Sequence, residues 1–117
     1  MSTSEIATVL AWNDALSEKN LGTLADLSSD DIEIGDADGA AQGLDALRDW
    51  ARGFPGLVTT GRLFVHGGTV VAEQTLSDGT TIASAFRVVH DQVTSVFRHD
   101  DLEAALAATD LSEDDLA

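Results

Sequence analysis

The sequence predicts an α+β domain, with helices on one side of a curved antiparallel sheet. Three observations point there. Apolar residues recur at helical spacing through most of the first half of the chain. From about residue 63 the chain turns to stretches rich in Val, Thr, Ile and Phe, separated by hairpin turns. The length of 117 residues, with no cysteine, suits one domain with a real core and no disulfide support. A single domain over residues 1–117 is therefore expected.

Each element has its own signal. Ile6, Val9, Leu10, Asn13 and Leu16 fall near helical spacing over residues 4–19, with Trp12 beside the stripe. Ser2 and Glu5 have capping-box spacing at its start. Asn20 and Gly22 interrupt the pattern, and Leu21, Leu24, Ala25 and Leu27 trace a second, shorter helix. Ile32-Glu33-Ile34 alternates as a short strand. Gly35–Gly43 is rich in Gly and Asp and reads as a loop or hairpin. Leu44, Leu47, Trp50, Ala51 and Phe54 mark one face of a third helix, stopped by Pro55-Gly56. Strands follow over Leu63–Val65, Thr69–Leu76, Thr81–His90 and Gln92–Arg98, an antiparallel meander. Gly67-Gly68, Asp78-Gly79 and Asp91 mark its turns. Leu102–Ala108 is a helix, and Ser112 with Asp115 has the spacing to cap a last acidic turn.

Charge excludes whole classes of partner. Lysine plus arginine number 6 and aspartate plus glutamate 21, a net charge of −15. Such a chain is a poor ligand for nucleic acid or for anionic membranes, which are bound through basic groups. The start, Met-Ser-Thr-Ser-Glu, lacks a secretory pattern, and no run of about 18 apolar residues occurs. A soluble, cytoplasmic protein is expected. Most acids fall in caps, turns and the last residues, namely Asp30-Asp31, Asp100-Asp101, Asp110 and Glu113-Asp114-Asp115. Added salt is therefore expected to stabilise the fold by screening self-repulsion. A melting temperature that stays flat or falls between low and about molar NaCl would contradict this.

The run Asp30-Asp31-Ile32-Glu33-Ile34-Gly35-Asp36, then Gly39 and Gln42-Gly43-Leu44-Asp45-Ala46-Leu47, resembles the nuclear transport factor 2-like superfamily. The closing Val93-Thr94-Ser95-Val96-Phe97-Arg98 resembles the last strand of its SnoaL-like members. The likeness spans about residues 4–108. It implies a cone-shaped fold, a curved sheet wrapped round the N-terminal helices, with a pocket at the wide end. It also implies a small-molecule ligand and no cofactor. Members include ketosteroid isomerases, epoxide hydrolases, polyketide cyclases and non-catalytic binding proteins, so the fold alone does not give the function.

The likeness is uneven at the chemical positions. Asp36 matches the ketosteroid isomerase base, but Trp12 and Ser84 stand where that pattern has its oxyanion-hole tyrosine and acid. The Asp-Arg-Asp set of limonene epoxide hydrolases is missing, with Ile82 and Ser84 at two of its places. Strand parity groups Ser84 with Phe86 and Val96 with Arg98 and Asp100, and the likeness implies that Glu73 also faces inward, which gives a candidate pocket of Trp12, Asp36, Trp50, Phe54, Glu73, Ser84, Phe86, Val96, Arg98 and Asp100. Asp36, Glu73 and Arg98 are its candidate catalytic groups, the acids as general base and the arginine for developing negative charge. Competing readings are core packing for Trp12 and Trp50, a turn role for Asp36, and a structural Glu73–Arg98 ion pair. His90-Asp91 and His99-Asp100 put their side chains on opposite faces of a strand, so no metal site is expected. Parity sends Phe97 and His99 to the outer sheet face, where the resemblance implies a homodimer contact. The expected function is binding of a small, mostly apolar ligand. The alternative is isomerase, lyase or hydrolase chemistry by carboxylate acid–base catalysis.

Overall fold

Helix α1 (Ser2–Ser17) lies along the inner face of the sheet. Its buried residues Val9, Trp12, Asn13 and Leu16 recur every three to four positions, the spacing that keeps one face of a helix turned to a core. The computed structural model describes residues 2–36, 38–54 and 58–117, with residues 2, 3 and 58 described by backbone alone. The Ser2–Glu5 capping box and the Pro55-Gly56 stop lie outside the described residues. After α1 come α2 (Leu21–Asp26), β1 (Ser28–Asp36), β2 (Gly39–Gln42) and α3 (Leu44–Gly53). Four strands follow: β3 (Val58–His66), β4 (Thr69–Leu76), β5 (Thr81–Val89) and β6 (Gln92–His99). The chain closes with α4 (Leu102–Thr109) and a single helical turn, Glu113–Asp115.

The strands form one sheet in the order β2-β1-β6-β5-β4-β3. From β3 to β6 it is the expected antiparallel meander. The first strand is longer than its alternating core, Ile32–Ile34, suggests. It runs into a hairpin with β2 and pairs parallel with β6, with Ile34 beside Val96. That parallel pairing was not expected. It joins strands distant in sequence and leaves no turn signal to read.

Parity then sorts the two faces. Ile32, Ile34, Val70, Ala72, Leu76, Phe86, Val88 and Val96 share the main core with Trp12, Leu16, Leu47 and Phe54. Phe64, Val71, Ala83 and Ala85 point the other way and meet Ala105 and Leu111, with Leu102 and Leu106 alongside. Helices therefore cover both faces of the sheet, and not one side as expected. The physical reason is that β4 and β5 are apolar on both faces, and an antiparallel sheet leaves a face to water only where that face is polar. Much of the outer face expected to receive a second copy is thus occupied by the chain's own α4.

The ends of elements follow local chemistry. Asp101 caps α4 by accepting from the Ala104 N–H at 2.8 Å. Ser112 and Asp115 form the expected capping box. Beyond it Leu116 bridges to Phe64, and the Ala117 N–H donates to the Leu63 carbonyl at 2.8 Å, which covers part of the β3 edge. Gly35 is fixed by space, because a Cβ there would lie 2.6 Å from the Phe97 ring.

Candidate functional site

The site is built around Arg98. Val96 and Arg98 alternate inwards on β6, and Arg98 lies in register with Ser84 on β5. The Arg98 guanidinium sits 4.3 Å from the Phe54 ring centre and 5.2 Å from that of Trp50. Both are cation–π distances. Trp50 and Phe54 stack at 5.3 Å, and Trp12 meets Trp50 at 6.0 Å and the edge of Phe86 at 5.5 Å. Burial lowers the pKa of Arg98 from its ordinary value, and the Asp36 charge works against that shift. Among the described residues, none gives the guanidinium a hydrogen bond or a salt bridge.

The aromatic platform is held by Lys19. Its ammonium donates to the Ala51 and Phe54 carbonyls, 2.6 Å each, and so caps the end of α3. Carbonyls at a helix C-terminus have no partner within the helix, and a cation there also meets the negative end of the dipole. Trp50 and Phe54 are therefore fixed from below by the α1–α2 turn and from above by Arg98.

Outside Arg98 opens a cleft of about 500 Å³, bordered by Asp36, Ile82, Arg98, His99, Asp100 and Ala104. Asp36 reaches it because the parallel β1–β6 register carries the end of β1 to the level of Arg98. Its carboxylate is exposed and accepts from the Asp38 N–H at 2.8 Å, an Asx turn. The competing turn reading of Asp36 therefore describes its geometry. A second groove of about 500 Å³ lies on the outer face, with Phe97, His99, Ala85, Arg87 and Ala108 along it. Among the described residues, no group of three or more metal-ligating side chains is placed to hold an ion. No helix among them is long and apolar enough to cross a membrane.

The structure brings Trp50 and Phe54 together behind Arg98, and Arg98, Asp36 and Asp100 share the cleft. Trp12, Ser84, Phe86 and Val96 lie behind them, each at most 4% exposed, so they form the inner wall of the core. Glu73 is elsewhere. It points outwards on β4 and pairs with Arg62, at 3.0 Å to Nε and 3.2 Å to Nη2. Hydrogen bonding from Arg62 holds its carboxyl below the usual range, against a smaller opposing effect of burial. The expected Glu73–Arg98 pair is therefore not formed. The inward residue is its neighbour Gln74, a one-residue parity error. Gln74 and Lys19 were both missed. Gln74 shares the parity of Val70, Ala72 and Leu76, and that alternation was the available signal. Lys19 had no local signal, because its partners lie more than 30 residues away.

Comparison with known proteins follows from this geometry. No curated protein matches the sequence. Among solved structures, an epoxide hydrolase of the limonene type from M. tuberculosis superposes with a TM-score of 0.74 at 20% identity. It covers 90% of this chain and 88% of its own. A nuclear transport factor 2-like protein from Cytophaga hutchinsonii gives 0.71 at 15% identity, over 86% of this chain and 92% of that one. A protein with a ketosteroid isomerase-like fold from Catenulispora acidiphila, crystallised with trimethylamine, gives 0.66 at 21%, over 92% and 95%. At these identities the likeness is one of fold. The family model of the SnoaL-like domain matches residues 9–106, nearly all of the sheet and the helices that pack on it, and the chain belongs to that family.

Proposed function

We propose that the cleft beside Arg98 binds a small molecule with an apolar ring body and a hydrogen-bond-accepting oxygen. The oxygen rests on Arg98, which Trp50 and Phe54 support from behind, and the body lies against Ile82 and Ala104. One observation supports this above the others. A half-buried guanidinium, stacked on two rings, has no acceptor among the described residues for its five donors. Donors kept from water without an acceptor are costly, and an incoming oxygen removes that cost. Asp36, Asp38, Asp100 and Asp101 border the same cleft, so a neutral carbonyl or hydroxyl suits it better than a carboxylate.

The placement of the acids favours binding over proton transfer. Asp36 is exposed and engaged in a turn. Glu73 is on the far face and held ionised by Arg62. Neither has the enclosed setting that tunes a carboxylate for general-base work. A homodimer would have only the strip of outer face beyond α4 to dock on, around Phe97 and His99.

The test is an amide NMR titration with acetophenone and with ethylbenzene, which has the ring and lacks the oxygen. Acetophenone is expected to bind about tenfold more tightly, and the preference is expected to vanish in Arg98→Leu. Equal binding of the two by the native protein would overturn the proposal.

A further inference from the structure

Basic side chains are few in this chain and carboxylates are not, at 6 against 21. Most of the six are engaged. Lys19 donates to two helix carbonyls. Arg48 and Arg52 pair with Asp45 and Asp49, three residues earlier on α3. Arg62 pairs with Glu73. Among the described residues, none gives Arg87 or Arg98 a hydrogen bond or a salt bridge through the guanidinium. These two are also the ones that border cavities. Arg98 fronts the inner cleft, and Arg87 fronts the groove of about 500 Å³ on the outer face.

The registers of β5 and β6 shape that groove. Arg87 stands beside Ser95, and Ala85 beside Phe97. The Phe97 ring leans away from Ala85, over Gly35 on β1, where even a Cβ would lie 2.6 Å from it. Ala85 and, across the groove, Ala108 of α4 are both short, so space remains between the ring and the guanidinium. Phe97 is half-buried, with part of its ring open to a guest. Along the strands the Arg87 and Phe97 positions are two residues apart, about 7 Å. Among the described residues that border this groove there is no aspartate or glutamate, whereas four aspartates border the inner cleft. The two cavities therefore differ in sign, and only the outer one sets a cation against no carboxylate.

We propose that the outer groove is a second small-molecule site, one that takes an aromatic carboxylate. The carboxylate accepts a forked pair of hydrogen bonds from Arg87, the geometry for which a guanidinium is built. The ring lies against Phe97, in the offset or edge contact that aromatic pairs favour. The spacing of about 7 Å suits a ring joined to its carboxylate by a short chain rather than directly. The Ser95 hydroxyl, beside Arg87, supplies one further donor. The site is separate from the cleft at Arg98, and the two readings stand or fall independently.

The experiment is an amide NMR titration of the full chain with 3-phenylpropionate and with 3-phenylpropan-1-ol, which keeps the ring and chain and lacks the charge. About 0.15 M salt screens the negative field of the molecule beyond about 8 Å. The acid is expected to bind about tenfold more tightly than the alcohol, and to move the amides of Ser95 and Phe97. Arg87 is exposed, so Arg87→Gln is expected to fold as the native chain does and to lose the preference. Arg98→Leu is expected to keep it. Equal binding of acid and alcohol, or a preference that survives Arg87→Gln, would overturn the proposal. So would a preference lost in Arg98→Leu, which would send the anion to the inner cleft. If that variant fails to fold, the amides moved in the native protein locate the anion. A dimer in solution whose Ser95 and Phe97 amides ignore the acid would give the groove to a second copy and overturn the proposal as well.

Discussion

Trp12→Ala is expected to remove about 3–5 kcal/mol of folding stability, the cost of truncating a fully buried large aromatic. Trp12 is 1% exposed and sits where α1 meets α3 and the sheet. It packs edge-on against Phe86 at 5.5 Å and tilted against Trp50 at 6.0 Å. No single neighbour can close the space it leaves. A domain of this size has about 5–15 kcal/mol in total, so the variant is expected to be marginal at best. Trp12→Phe separates packing from polarity. The indole N–H donates to Ser28 Oγ at 2.9 Å, while the Ser28 hydroxyl donates to the Leu24 carbonyl at 2.7 Å. Losing the indole therefore leaves the serine proton satisfied, and the expected cost is only about 1–2 kcal/mol. Urea unfolding with an unchanged m-value measures both. A cost below about 1 kcal/mol for the alanine variant would contradict the account of Trp12 as the keystone of the core.

Lys19→Met is expected to couple stability to the site. It removes two charged hydrogen bonds at the end of α3 and keeps the side-chain length. Each such bond is worth about 1.5–3 kcal/mol when fully buried, and Lys19 is largely exposed, so a total near 1–2 kcal/mol is expected. The larger consequence is local. Without the lysine the last turn of α3 frays, and Trp50 and Phe54 lose the seat that holds them under Arg98. Acetophenone affinity is expected to fall several-fold although Lys19 does not border the cleft. Lys19→Arg, which still supplies donors to both carbonyls, is expected to recover most of both losses. A variant that melts earlier yet binds acetophenone unchanged would separate Lys19 from the site.

Much of this was legible in the sequence because it rests on local chemistry. The hairpin turns, the apolar face of α3 and the Ser112–Asp115 cap are decided by neighbours a few residues apart, and the structure keeps them. So does the inward parity of Ser84, Phe86, Val96 and Arg98, because β5 and the end of β6 run without interruption in front of the core. Parity failed at Glu73 for a physical reason. Val70 and Val71 are both apolar, so β4 offers either face to the core, and its facing had been taken from the family likeness rather than from the alternation of Val70, Ala72 and Leu76. A shift of one residue exchanges the faces, which moved a carboxylate into the pocket and Gln74 out of it. The position of α4 was hidden because Val71, Ala83 and Ala85 read as ordinary strand residues whichever face they take. Lys19 and Asn13 were hidden because their partners, α3 carbonyls and Gln74, are chosen by the fold.

The parallel pairing of β1 with β6 also sets the order in which the molecule can form. Hairpins such as β4–β5 close over short loops and can form early. The β1–β6 ladder joins Ser28 to Val93 and Ile34 to Val96, with the rest of the sheet in the intervening loop. Closing such a loop costs entropy before any contact repays it, so this ladder belongs to the slow, late part of folding. Asp36 and Arg98 meet only across that ladder, and Asn13 meets Gln74 only across 61 residues. The cleft and the buried Gln74–Asn13 hydrogen bond are thus completed late in the folding of the chain. Mutations that slow β1–β6 closure would leave a compact sheet of hairpins with its own binding site unmade.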